Sequence, residues 1–405
     1  MTPAELKAAS RLGASVFTSV VSRVEQVHQA VAGRAFGQIR RPGTSVSLIH
    51  DTVARGVYRA IGGAGSAAAK AGGQAVMMLG IGGRPADSTP GGNLALATLN
   101  AVAGDRLGAD LAPLAIGMSV RAGGRDVALS SGALAAAFPH ATTRLAVFVH
   151  GLAETENSWG RRDDDHAPYG QRLAEEFGYT PVYIRYNTGR HVSDNGRDLA
   201  LLLGSLLGEW PERVDELLLI GHSMGGLVIR SACHDGARSA AAWVRQVRHV
   251  FYLGSPHLGA PLARAAGLAG WALGQVAETR PFVTLVNGSS SGIKDLRHGY
   301  LRQDDWAGCD MDRCRRDHRQ DTPLLAGASH YAISATITAD PASKLGAVTG
   351  DLLVTPASAH GRRGYRQHVA FPAESGRSLG GMHHLDLLNH PEVWRTMRRL
   401  LGGAG

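Results

Sequence analysis

The sequence predicts an α/β fold, in which a mostly parallel sheet is covered by helices on both faces. Short apolar runs typical of buried strands recur along the chain, and helical patterns lie between several of them. The strand-like segments are residues 145–149, 182–186, 216–220, 250–253 and 331–337. Two further strands are expected within residues 113–129, joined by a turn at Gly123 and Gly124.

Composition supports a globular protein with no affinity for nucleic acid. The chain has 405 residues, of which 44% are hydrophobic and 19% charged. This is enough for one large domain and an accessory region. The net charge is +8, but the basic residues are scattered and no basic stripe interleaved with aromatic residues occurs. We therefore expect no nucleic-acid partner.

The cysteines indicate neither a disulfide framework nor a metal site. Cys233, Cys309 and Cys314 cannot all pair with one another, which argues against a disulfide-built secreted domain. Cys309, Cys314 and His318 would supply only three zinc ligands, whereas a structural zinc site needs four. We therefore predict no metal ion and no cofactor.

The chain divides into two regions by its sequence patterns. Residues 1–109 are expected to form a helical accessory region, since residues 3–35 and 47–61 carry apolar side chains at helical spacing. Residues 110–402 are expected to form the α/β domain, with a lid-like insertion at about 258–330 that is too long for a simple connection. Charged residues interrupt the N-terminal apolar stretch, so the chain is expected to be cytoplasmic and unanchored.

The most informative segment is 217–228, Leu-Leu-Leu-Ile-Gly-His-Ser-Met-Gly-Gly-Leu-Val, which is typical of a strand, a sharp turn and a helix. A nucleophilic serine needs such a turn so that its hydroxyl projects above the sheet, and flanking glycines leave room for neighbouring backbone. The helix that follows directs N–H groups at the site, where they can stabilise an oxyanion. We therefore expect Ser223 to be a nucleophile in acyl transfer.

A second G-x-S-x-G match occurs at residues 288–292, so the pentapeptide alone is weak evidence. This match lies in a serine-rich tract followed by Lys294 and Asp295, and it lacks a helix start rich in small residues. Gly225 and Gly226 supply such a start after Ser223. The context therefore favours Ser223.

A serine nucleophile needs a histidine that accepts its proton and a carboxylate that fixes the tautomer of that histidine. In this type of fold the chain order is serine, acid, histidine. Candidates for the base are His383 and His384, and candidates for the acid are Asp351 and, as runner-up, Asp340. Asp386 is expected instead to cap a helix that begins at Leu387.

The loop after an earlier strand is expected to supply one half of an oxyanion hole. Residues 147–152, Val-Phe-Val-His-Gly-Leu, have the required form of a strand that ends in a tight loop. We expect the backbone N–H groups of Leu152 and Met224 to be the two donors, while His150 holds the loop in place.

Four segments together resemble the α/β-hydrolase superfamily, specifically bacterial triacylglycerol lipases and related esterases. They are His150-Gly151-Leu152, Gly221-His222-Ser223-Met224-Gly225-Gly226, Gly350-Asp351-Leu352-Leu353-Val354 and His384-Leu385-Asp386-Leu387-Leu388-Asn389. The resemblance covers roughly residues 110–402 and implies an α/β-hydrolase fold. It favours His384 over His383, because the lipase histidine stands directly before a Leu-Asp pair. It also supports Asp351, although the lipases have Asp-Gly-Leu-Val where this chain has Asp-Leu-Leu-Val.

The resemblance implies a carboxylic-ester hydrolase that acts through an acyl-enzyme on lipid or other apolar esters. Acyl transfer, thioester cleavage and depolymerisation of an intracellular polyester use the same triad and stay open. So does an inactive protein whose N-terminal helices bind a lipid or membrane surface. Trp159 and Trp271, the latter in the apolar stretch 262–276, are candidates for substrate contact, with core packing as the alternative.

Overall fold

The computed structural model describes residues 2, 4–5, 8–9, 11–12, 85–88, 90–160, 166–260, 290–311, 318–363 and 366–403. The strands in this part of the chain are β1 (Ser119–Ala122), β2 (Arg125–Val127), β3 (Arg144–Val149), β4 (Thr180–Arg185), β5 (Glu216–His222), β6 (Val247–Leu253), β7 (Ser329–Thr336), β8 (Arg362–Arg363), β9 (Arg366–Gln367) and β10 (Gly376–Gly380).

Eight of these strands form one sheet with the order β10-β7-β6-β5-β3-β4-β1-β2. Strand β1 runs antiparallel to both β2 and β4, and the other neighbouring pairs are parallel. The hairpin between β1 and β2 turns at Gly123 and Gly124, both of which have positive φ. The predicted α/β fold with a mostly parallel sheet is therefore confirmed.

The α-helices of the described residues lie before, between and after these strands. They are α1 (Pro90–Ala103), α2 (Ser131–Ala137), α3 (Tyr169–Phe177), α4 (Val192–Glu209), α5 (Met224–Arg238), α6 (Ser291–His298), α7 (Gln303–Trp306), α8 (Lys344–Thr349), α9 (Pro356–Ala359) and α10 (Pro391–Gly402). Short 3₁₀ helices occur at Ala86–Ser88, Gly104–Arg106, Ala109–Leu114, Glu156–Gly160, Ala242–Gln246, Ala373–Ser375 and His384–Leu388.

The central strands are buried on both faces, which explains their continuous apolar sequences. In β5, Leu217 and Leu219 pack in one core cluster together with residues of α4 and α5. Leu218 and Ile220 point the other way and pack in a second cluster with residues of α10. Because successive side chains of a strand alternate between faces, a strand covered on both sides must be apolar at every position.

The chain forms two compact units. The smaller comprises Met1–Leu96, Leu107–Ala115 and Val276–Gly288, and the larger comprises the rest. Within the smaller unit, Arg11 forms an ion pair of 2.7 Å with Asp110. The predicted division at residue 109 stays a prediction. The predicted helix at 47–61 lies outside the described residues, as do residues 261–289 of the predicted lid, which include Trp271.

Two features differ from expectation. The sheet has a further edge strand, β10, whose sequence Gly-Arg-Ser-Leu-Gly has little strand character and which is held by parallel pairing with β7. The expected helix start at Leu387 is wrong: residues His384–Leu388 form a 3₁₀ helix and α10 begins at Pro391, because proline fits only the first turn of a helix. Asp386 does act in a cap, since its carboxylate accepts a hydrogen bond from the N–H of His383 (2.7 Å) in the capping box of that 3₁₀ helix. Among the helices described here, none combines the length and the hydrophobicity that a membrane span requires.

Candidate active site

Ser223 lies on the turn between β5 and α5. Its backbone has φ 51° and ψ −120°, and a positive φ is uncommon for a residue that carries a Cβ. Its N–H donates a hydrogen bond to the carbonyl oxygen of Leu253 at the end of β6 (2.8 Å). This hydrogen bond attaches the turn to the neighbouring strand and fixes the position of Ser223 at the end of the sheet.

The glycines around Ser223 are required because backbone segments approach each other closely. A Cβ on Gly225 would collide with the carbonyl oxygen of Val149 at the end of β3. A Cβ on Gly221 would lie 2.5 Å from the backbone nitrogen of Gly226. Helix α5 therefore starts directly against β3 and β5, which it could not do with larger residues.

Asp351 and His384 form a buried pair. Nδ1 of His384 lies 2.7 Å from Oδ2 of Asp351. The other carboxylate oxygen, Oδ1, accepts hydrogen bonds from the N–H groups of Leu353 (3.0 Å) and Val354 (2.8 Å). Burial by itself would lower the pKa of His384, but the adjacent Asp351 charge outweighs it and the pKa is raised. The pair therefore favours the protonated form of the imidazole.

The two alternative candidates lie elsewhere. Asp340 is exposed, and its Oδ1 accepts a hydrogen bond from the N–H of Ala342 (2.9 Å), as in a local turn. His383 is exposed and precedes the 3₁₀ helix that contains His384. Among the candidates that the sequence left open, the structure thus pairs Asp351 with His384.

His384 lies next to the turn that carries Ser223. The centroid of its ring is 4.7 Å from that of His222, the residue directly before the serine. A Cβ on Gly254, which follows the strand residue bonded to Ser223, would lie 3.0 Å from Cε1 of His384. The structure therefore brings the three predicted triad residues to one end of the sheet, although 161 positions separate Ser223 from His384 in the sequence.

The loop after β3 also reaches this end of the sheet. A Cβ on Gly151 would lie 3.0 Å from Cβ of Ser223, so the backbone of this loop passes beside the serine. Within the described part of the chain, no hydrogen bond occupies the N–H of Leu152 or that of Met224. Two unoccupied N–H groups next to a serine are the arrangement that an oxyanion hole requires.

Glu154 and His222 have roles at the site that the sequence does not reveal. Oε1 of Glu154 lies 2.9 Å from Nδ1 of His222. Oε2 of Glu154 accepts a hydrogen bond from the N–H of Gly151 (2.8 Å). Burial would raise the pKa of Glu154, but His222 and this hydrogen bond more than offset it, so the pKa is lowered. No local motif marks Glu154, since its contacts depend on the tertiary structure.

His150 and Trp159 are both buried. The His150 ring stacks on Tyr186 with centroids 4.5 Å apart, and the Tyr186 hydroxyl donates to the carbonyl oxygen of His150 (2.8 Å). Burial lowers the pKa of His150, which favours the neutral ring. Trp159 is 1% exposed and packs edge-on against Phe148, with centroids 5.1 Å apart. Core packing thus accounts for Trp159, and its contact with substrate stays a prediction.

The second G-x-S-x-G match has a local structural role at its middle serine. The Ser290 side chain caps α6 by accepting a hydrogen bond from the N–H of Ile293 (3.3 Å). Its hydroxyl donates to the carbonyl oxygen of Ala101 (2.6 Å) and is fully buried.

Among the described residues, no group of three or more His, Cys, Asp or Glu side chains is arranged to hold a metal ion.

The strand order, the antiparallel β1 and the serine on the turn after β5 define an α/β-hydrolase fold. The model of a family described as the PGAP1-like alpha/beta domain matches residues 182–310, about a third of the chain. No curated protein matches the chain.

Several solved structures are similar to the chain. The mature Bacillus licheniformis lipase BlEst2 is 21% identical, with a TM-score of 0.42 over 64% of this chain and 91% of that one. The RedJ thioesterase of the Streptomyces coelicolor prodiginine pathway is 21% identical, with a TM-score of 0.38 over 65% and 91%. Aspergillus fumigatus lipase B is 9% identical, with a TM-score of 0.39 over 72% and 56%.

Proposed function

We propose that this chain is a serine hydrolase that cleaves carboxylic esters, with lipid or other apolar esters as its substrates. The observation that supports this most directly is the buried Asp351–His384 pair, 2.7 Å apart, beside the turn that holds Ser223. A serine, a carboxylate and an imidazole in this order along an α/β-hydrolase chain make up the machinery of acyl transfer.

The first half of the reaction forms an acyl-enzyme. Asp351 accepts the Nδ1–H of His384, so Nε2 keeps its lone pair and accepts the proton of the Ser223 hydroxyl while the serine oxygen attacks the ester carbonyl. The carboxylate then stabilises the imidazolium. The raised pKa of His384 agrees with this role, since it reflects attraction between Asp351 and the protonated ring.

The imidazolium then gives its proton to the leaving alcohol, which completes the acyl-enzyme. In the second half, a water molecule gives a proton to the same nitrogen as it attacks the acyl-enzyme, and the imidazolium returns that proton to the oxygen of Ser223 as the acid leaves. In both halves the negative oxygen of the tetrahedral intermediate would accept hydrogen bonds from the N–H groups of Leu152 and Met224. Each such donor stabilises the transition state by about 3 kcal/mol.

A fluorophosphonate probe, which reacts with activated serines, tests this proposal directly. We expect the wild type and Ser290→Ala to be labelled, because the Ser290 side chain caps a helix and bonds Ala101, and we expect Ser223→Ala not to be labelled. A folded wild type that resists the probe would support the inactive lipid-binding alternative. A profile of p-nitrophenyl esters of increasing chain length then defines the acyl preference. Comparison of water with alcohols as acceptor separates hydrolysis from acyl transfer.

A further inference from the structure

We propose that Glu154 and His222 form a second, purely positioning carboxylate–imidazolium pair, which holds the base and the oxyanion loop in register with the nucleophile. This inference rests on the proposed function of the site. Neither residue is assigned to the triad, and neither reaches the reacting atoms through the contacts described below.

Three segments of the site are joined through this pair. Glu154 accepts a hydrogen bond from the N–H of Gly151 (2.8 Å), the residue before the proposed oxyanion donor Leu152. Its other oxygen lies 2.9 Å from Nδ1 of His222, the residue before the nucleophile. Nε2 of His222 lies 3.1 Å from the backbone carbonyl oxygen of His384, the proposed base.

Hydrogen-bond accounting gives the charge of His222. The partner of Nδ1 is a carboxylate oxygen and the partner of Nε2 is a carbonyl oxygen, and both can only accept. Both contacts are hydrogen bonds only when each ring nitrogen carries a hydrogen, which is why the pair is assigned an imidazolium. The His222 side chain is 0% exposed and that of Glu154 is 9% exposed, so water compensates little of either charge.

This geometry makes the alignment of the site sensitive to Glu154. Without the carboxylate, the Gly151 N–H loses its partner and the oxyanion loop loses an anchor. His222 would be left as an unpaired buried charge or would give up one proton. Residues that orient metal ligands through hydrogen bonds typically contribute about 10- to 100-fold to activity, and we expect an effect of the same size here. We expect the loss in kcat with little change in KM, because the Glu154 carboxylate is held by Gly151 and His222.

The same loop supplies a matched control. Glu156 is also buried and ionic, but its carboxylate binds Arg185 (2.7 Å and 2.6 Å) and Arg121 (3.1 Å) rather than any part of the site. Replacing Glu156 by glutamine should therefore lower the melting temperature without lowering kcat at a temperature where the variant is folded. If Glu154 had only a structural role, its replacement would likewise lower the melting temperature and leave kcat unchanged.

The experiment compares Glu154→Ala, Glu154→Gln and Glu156→Gln with the wild-type chain, using hydrolysis of p-nitrophenyl butyrate. We expect kcat to fall about 10- to 100-fold in Glu154→Ala. We expect kcat of Glu154→Gln to lie within about fivefold of the wild-type value. Its amide can accept a hydrogen bond from the N–H of Gly151 and donate one to a neutral His222. Equal kcat in wild type and Glu154→Ala would overturn the positioning role, as would an equal loss in Glu156→Gln.

Nitrogen-15 NMR of the His222 ring supplies a readout that does not depend on activity. We expect two protonated ring nitrogens in the wild type at pH 7 and one in Glu154→Gln. A neutral His222 ring in the wild type would refute the ion pair. If the proposed function were wrong, Ser223 would not react with fluorophosphonate, whereas the NMR result would be unchanged. The two failures can therefore be told apart.

Discussion

Replacement of Asp351 by asparagine tests the proposed triad at the level of single atoms. Oδ1 of Asp351 accepts two backbone hydrogen bonds, from Leu353 (3.0 Å) and Val354 (2.8 Å), and an amide nitrogen cannot accept them. The asparagine oxygen must therefore take this position, and its NH₂ group must face Nδ1 of His384. Nδ1 then has to accept a hydrogen bond, so the ring proton moves to Nε2 and the lone pair needed by Ser223 is lost.

The expected effect is large because the wrong tautomer cannot act as a base. Loss of the correct tautomer in this way lowers kcat by about 10⁴-fold, which corresponds to about 5 kcal/mol of transition-state stabilisation. Stability should change little, because the two backbone hydrogen bonds and the shape of the side chain are retained. The assay is hydrolysis of p-nitrophenyl butyrate, with kcat and KM measured separately and the melting temperature recorded for each variant.

Asp340→Asn is the matched control for this change. Asp340 is exposed and bonds only its own turn at the N–H of Ala342, according to the contacts described above, so its amide should leave kcat within about twofold. If Asp340→Asn lowered kcat several thousandfold while Asp351→Asn left kcat unchanged, the assignment of Asp351 as the acid would be refuted. A full loss in both variants would also refute the reasoning, because kcat would then not distinguish the residue that pairs with His384 from one that does not.

Three further changes probe the surrounding structure. Gly225→Ala should cost roughly 3 kcal/mol in urea unfolding and lower activity, because its methyl group would collide with the carbonyl oxygen of Val149. Leu352→Gly should stabilise the chain by about 1 kcal/mol, because Leu352 is held at φ 80°. Burial raises the pKa of Asp295 to about 6, so ionisation of this carboxyl opposes folding. The free energy of unfolding should therefore fall by about 3 kcal/mol as pH rises from 4 through 6. Asp295→Asn should remove that fall.

The central strands are predictable because their burial leaves a direct trace in the sequence. Strands β3 and β5 are covered on both faces and are therefore apolar at successive positions. The edge strand β10 carries no such trace, since all five of its residues are only partly buried. Its strand conformation depends on pairing with β7, which lies far away in the sequence. A local pattern cannot report a partner of this kind.

The parts of the site differ in the same way. The turn at Ser223 is predictable because its close backbone contacts admit only glycine at neighbouring positions. Glu154 is not, because its role depends on contacts with two other segments. Leu352 is an instructive case, since the lipase pattern has glycine there and the structure shows the left-handed backbone that glycine favours. The carboxylate of Asp351, which accepts the N–H groups of Leu353 and Val354, holds the same turn with leucine in place.

The register of the parallel strands determines how the site is assembled. Parallel strands end at one edge of the sheet, so the loops after β3, β5 and β6 meet there. The pairing of β5 with β6 ends at His222 opposite Leu253, and the next N–H, that of Ser223, bonds the carbonyl oxygen of Leu253. This bond supports the unfavourable backbone conformation of Ser223. A slip of one residue between β5 and β6 would remove it and displace the serine from His384, so the chemistry of the site depends on the pairing of buried strands that carry no reactive group themselves.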